Sequence, residues 1–106
     1  MIGVGYFSEM KLSSFNSGSI HDNLTESVNY DKDLMIQYLQ SFKHFSSCGR
    51  NAIDCVTGET ISPSFLVYND GEYCWCDFLI YHIKKYNIRL PQGLIDKAYA
   101  KKPAQQ

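Results

Sequence analysis

No run in the 106 residues approaches the roughly 18 consecutive apolar residues that a membrane span needs. The opening Met1 to Phe7 has neither the basic start nor the continuous apolar core of a secretory signal, so the expectation is a cytoplasmic protein without a membrane partner. Prolines are scarce, three in all, and seven glycines form no phosphate-cradling pattern. The four cysteines, Cys48, Cys55, Cys74 and Cys76, are spaced C-x6-C and C-x-C, which matches neither the C-x2-C nor the C-x4-C pairs of common structural zinc sites. They read as free buried thiols, with a Cys48–Cys55 disulfide open only in an oxidising compartment. Positive charge is not in excess either. A net charge of −1 argues against nucleic-acid binding through general phosphate attraction.

What is present is a single core's worth of apolar residues, 44% hydrophobic and 14% aromatic, arranged for one domain over residues 1–100 with a disordered tail at 101–106. Charge is unevenly placed. Residues 1–80 hold ten acidic against four basic side chains, whereas residues 81–106 hold one against six. An acidic body therefore leads into a basic end, where Lys97, Lys101 and Lys102 also fit a plain solvated helix end.

The densest apolar stretch runs from Phe65 to Pro91. Phe65–Tyr68 and Tyr73–Cys76 read as two strands of a hairpin around Asn69-Asp70-Gly71-Glu72, because Asp-Gly supplies the positive φ of tight turns. Tyr73 and Trp75 alternate with Cys74 and Cys76, making Trp75, the sole tryptophan, a core anchor. Asp77 is the expected N-cap of a helix over 77–87 that Asn87 closes in a left-handed conformation. Upstream, Asp31 or Asp33 caps a helix over 31–43 whose Leu34, Met35, Tyr38, Leu39 and Phe42 form one stripe. Ala52–Cys55 and Thr60-Ile61 suggest short strands around a Thr57-Gly58-Glu59 turn. Ile2 to Phe7 suggests a first strand, extended through Met10 and Leu12. Leu94, Ile95, Ala98 and Tyr99 mark a last helix over 91–100, which Gly93 weakens. The expected fold class is α+β, a small, mainly antiparallel sheet with about three helices packed against it.

The segment NDGEYCWCDFLIYHIKKYNIRLP resembles the C-terminal signature of small bacterial immunity-type proteins from polymorphic toxin and contact-dependent growth inhibition loci. The matching residues are Asp70, Gly71, Tyr73, Trp75, Leu79, Tyr81, Tyr86, Asn87, Leu90 and Pro91, and DLMIQYLQS and DCVTGETIS fall where that group carries a Leu-rich helix and a D-x-x-T-G-E turn. The likeness spans roughly residues 31–91. Cys76 departs from it, standing where the group often has proline. The resemblance implies a non-enzymatic immunity protein that binds and neutralises a cognate toxin, with a nuclease as the expected class of toxin and no cofactor.

The residues themselves leave other classes open. A small-molecule-binding or regulatory subunit and a cysteine-based metal- or redox-responsive protein are the alternatives. A Cys48–His44 nucleophilic pair lacks any sequence sign of positioning. His82, on an apolar stripe, reads as a hydrogen-bonded core residue, and turn chemistry already accounts for Asp70 beside Glu72. For partner binding the candidates are Asp22, Glu26, Tyr30, Asp70 and Glu72. The long Ser/Asn-rich loop over 13–30 supplies three of them, with Tyr30 as its aromatic anchor. Tyrosine couples apolar area to a polar tip, and an acidic surface steers a basic partner.

Overall fold

The computed structural model describes residues 1–12 and 15–101, so Ser13, Ser14 and nearly all of the expected disordered tail, residues 102–106, lie outside the described residues. The fold is α+β. A four-stranded sheet has the order β1-β6-β5-β2, where β1 is Ile2–Gly3, β2 Ser46–Cys48, β5 Phe65–Asn69 and β6 Tyr73–Cys76. All pairings are antiparallel except β1 with β6. A separate antiparallel pair joins β3, Ala52–Ile53, to β4, Thr60–Ser62. Among the described residues four α-helices accompany them: the single-turn α1, Ile20–Asn23, then α2, Lys32–Gln40, α3, Asp77–Lys85, and α4, Gln92–Ala100. Among the described residues no helix is long and apolar enough to cross a membrane.

The β5–β6 hairpin forms as its sequence dictates. Gly71 takes φ +97°, the left-handed value that an L side chain resists, and Asp70 Oδ1 accepts from the N–H groups of Glu72 and Tyr73 to close the turn. All four residues of β6 are buried because the strand is central and covered on both faces. On one face Trp75 is 0% exposed, ringed by Tyr38, Phe42 and Tyr68 at centroid distances of 6.4, 5.7 and 6.5 Å. Its indole N–H finds no acceptor among the described residues, a cost set against the aromatic contacts of the ring. On the other face the Tyr6 hydroxyl sits 3.2 Å from Cys74 Sγ and 3.5 Å from Cys76 Sγ.

Helix α2 starts where expected, with the Asp31 side chain accepting from Leu34 N–H, and buries Met35, Ile36, Tyr38 and Leu39. It ends at Gln40, one turn early. Several other expectations need correction. The first strand stops at Gly3, because Gly5 at φ +77° turns the chain and Ser8–Met10 coil into a 3-10 turn. Asp77 does not cap α3 through its side chain; Cys76 is the N-cap, and the Asp77 carboxylate accepts from Leu66 N–H on β5. Nor is Asn87 left-handed, since α3 ends at Lys85 and Tyr86 is extended. Strand β2 arises from a segment that carried no strand signal. In α4, Gly93 makes room for a close contact: a Cβ there would overlap the hydroxyl of buried Tyr73, so a helix-weakening residue is what lets α4 reach the sheet.

Candidate functional site

The described part of the expected loop over residues 13–30, from 15 to 30, is an ordered strap. Ser19 caps α1, and the Glu9 carboxylate accepts from Ser19 Oγ and from Ile20 N–H, seating fully buried Ile20. Farther on, Leu24 bridges Ile88, Thr25 N–H donates to Asn87 O at 2.9 Å, and Arg89 N–H donates to Asn23 O at 2.8 Å. Asn87 Nδ2 reaches back to Glu26 O, which is the work it does in place of the expected helix closure. The strap thus presents Asp22 and Glu26, both exposed, on backbone that is hydrogen-bonded on either side of them.

Tyr30 is placed otherwise than its composition suggested. It is buried, and its hydroxyl donates to Ile88 O at 2.6 Å, so its polar tip is already used inside the molecule. Burial pushes that hydroxyl up to about 12. It anchors the end of the strap and offers no aromatic surface to a partner.

Asp70 and Glu72 share the hairpin turn but not an environment. The Asp70 side chain is 1% exposed: besides its two turn bonds, Oδ2 accepts from Tyr38 OH at 2.7 Å and pairs with Lys97 Nζ at 3.3 Å. Burial works to raise its carboxyl, yet the N–H groups of Tyr73 and Glu72, the Tyr38 hydroxyl and Lys97 outweigh that and hold it below the usual range. The Glu72 side chain, 56% exposed, meets Lys97 at 3.1 Å. The basic C-terminal stretch is therefore partly spent on the acidic body: Lys97 serves this turn and Lys85 serves Asp54. Asp22 and Glu26 lie on the strap beside residues 87–89, whereas Asp70 and Glu72 lie on the turn between α2 and α4, with no bond joining the two groups among the described residues.

The most connected polar cluster was not apparent from the sequence. Asp54, 1% exposed, closes the β3–β4 turn by accepting from Val56 and Thr57 N–H, and its carboxylate also receives Tyr81 OH at 2.7 Å, Tyr86 OH at 2.8 and 2.9 Å, and Lys85 Nζ at 3.2 Å. Burial alone would raise this carboxyl. The two hydroxyls and two N–H groups outweigh it and hold it far below the carboxylate range, which makes it a poor proton acceptor. Next to it, buried His82 accepts Cys55 N–H at Nε2, 2.9 Å, and donates from Nδ1 to Phe78 O, 2.7 Å. Both ring nitrogens are committed to backbone, so the neutral ring is the one that fits, and burial lowers its pKa accordingly. The cluster can clamp a turn to α3; it has no free lone pair with which to do acid–base work. A weak signal existed in the spacing of Tyr81 and Lys85, one turn apart on α3, opposite a D-x-x-T-G-E turn.

The thiols are free, Cys48 half-buried and the other three buried. Burial pushes Cys55 and Cys76 up to about 12, so neither is a thiolate near neutral pH. His44 precedes β2 and Cys48 ends it, on an edge strand, and no hydrogen bond joins them among the described residues. No family model matches the chain, and no curated protein or solved structure matches it either.

Proposed function

We propose that this is a cytoplasmic, non-enzymatic immunity protein that binds a cognate bacterial toxin and neutralises it by occupying its surface. One observation supports the reading beyond the resemblance over residues 31–91: the strap holding Asp22 and Glu26 is bonded to residues 87–89 and to Glu9 before any partner arrives. A preorganised acidic surface loses little freedom on binding and attracts a basic partner from a distance. A toxin that cuts nucleic acid is basic around its active site, which makes the match electrostatic as well as steric. Glu72 adds a further exposed carboxylate, while Asp70 and Tyr30 act from inside by fixing the turn and the strap.

Co-expression with the toxin encoded beside its gene tests the reading. Protection of the host cell and a complex that survives gel filtration are the expected results. Killing at an unchanged rate with no complex would refute it.

A further inference from the structure

The acidic body carries only four basic residues, and three of them, Lys11, Lys43 and Arg50, lie toward the two ends of β2. Lys43 precedes β2 and Arg50 follows it, with Arg50 Nη1 reaching Lys11 O at 3.3 Å. All three are exposed, and none has a carboxylate partner among the described residues. The nearby acids are engaged elsewhere: Glu9 with Ser19 and Ile20, Asp77 with Leu66 N–H.

Strand β2 is the edge of the sheet, and its free side can be worked out from its neighbour. Val67 O accepts from Phe45 N–H, so Val67 faces β2, whereas Leu66 N–H points the other way, to Asp77. Ser47 stands opposite Leu66 in the register, so its own N–H and C=O point outward, away from the sheet. Alongside lies a groove of about 360 Å³ whose apolar walls include Leu12, Phe15, Phe65 and Val67. Phe45, 57% exposed, stands at its rim. A backbone edge unpaired among the described residues, an apolar groove and cations at both ends are the elements of strand addition, in which the main chain supplies bonds and alternate side chains supply specificity.

We propose that the β2 edge and its groove dock an extended segment of a partner protein, one that carries an apolar side chain for the groove between acidic residues that meet Lys43 at one end and Arg50 and Lys11 at the other. The site uses neither the strap with Asp22 and Glu26 nor the Glu72 turn on which the toxin-facing surface rests, so either can fail without the other.

The test is selection from a display library of random nine-residue peptides against the wild-type protein, Ser47→Pro, and the double variant Lys43→Glu with Arg50→Glu. Ser47→Pro removes only an outward N–H, and the double variant alters exposed charges, so it keeps the test alive if proline disturbs the fold. Enriched peptides should place Asp or Glu on both sides of an apolar residue. They should bind the wild type about tenfold more tightly than the charge-reversed variant, because rim charges act on encounter. Amide resonances of Ser47 and Phe45 should shift on titration. The proposal is overturned by a library that yields no enrichment, by peptides held equally by wild type and variants, or by a dimer that Ser47→Pro abolishes, which would assign the edge to a second copy of the chain.

Discussion

Asp70 and Glu72 sit two residues apart on one turn, and they divide the protein's carboxylates into two kinds. Asp70, like Asp54, is shut inside with hydroxyls and backbone N–H groups on both oxygens. Glu72, like Asp22 and Glu26, stands in water. The interior pair organises local structure, each closing a turn and tying it to a helix: Asp54 to α3 through Tyr81, Lys85 and Tyr86, Asp70 to α2 and α4 through Tyr38 and Lys97. Acidity in the sequence is thus two populations, and only the outer one is available to a partner.

The division breaks most sharply at Asp54. Asp54→Ala should cost about 3–5 kcal/mol, the scale of removing one member of a buried charged network, and a urea titration would read it. Trp75→Ala sets the same scale from pure packing, at about 3–5 kcal/mol. Lys85→Met should lower stability far less than Asp54→Ala, since its amine is half-exposed and screened. If the lysine variant proves as damaging as Asp54→Ala, the clamp is an ion pair and not a hydrogen-bonded turn. Asp70→Ala should fall between, at about 2–3 kcal/mol, through orphaned turn N–H groups and the Tyr38 hydroxyl.

Acid should discriminate further. The folded state lowers the pKa of His82, so it keeps the neutral ring; as pH falls below the unfolded value of about 6.5, the unfolded chain takes up a proton that the folded one refuses, and stability declines until the folded value is passed. The buried carboxylates behave differently. Their folded values are depressed, so their contribution is intact above the unfolded value of about 3.9 and fades only as pH falls below it. Denaturation free energies between pH 7.5 and 5.5 should therefore drop in the parent and flatten in His82→Asn, with Asp54, Lys85, Tyr81 and Tyr86 still facing the site. An unchanged slope in that variant would mean that His82 does not govern this window.

How far the sequence carried depends on whether the signal was local. Helix α2 and the β5–β6 hairpin were legible because a stripe at helical spacing and an Asp-Gly turn need no distant partner. Strand β2 was not, because Ser46, Ser47 and Cys48 form an edge strand whose side chains carry no alternating pattern. The parallel pairing of β1 depends on residues 71 positions away. Tyr30 was misplaced for the same reason: an isolated aromatic in a polar loop gives no hint that Ile88 O, 58 residues on, awaits its hydroxyl. The candidate surface was half readable. Asp22, Glu26 and Glu72 are exposed as expected, while the inward turn of Asp70 follows from Tyr38 and Lys97, which only the fold brings near.

The most direct test is the rate at which the protein associates with the toxin encoded beside its gene, measured across a salt series for the parent and for Asp22→Lys with Glu26→Lys. Both substitutions are exposed, so melting should move by no more than about 4–8 °C, consistent with surface changes of roughly 0.5 kcal/mol each. Association should slow by about tenfold or more at low salt and lose most of its salt dependence, because the steering charge is gone. An association rate and salt slope equal to the parent's, in a complex that still forms, would contradict the claim that the outer carboxylates face the partner.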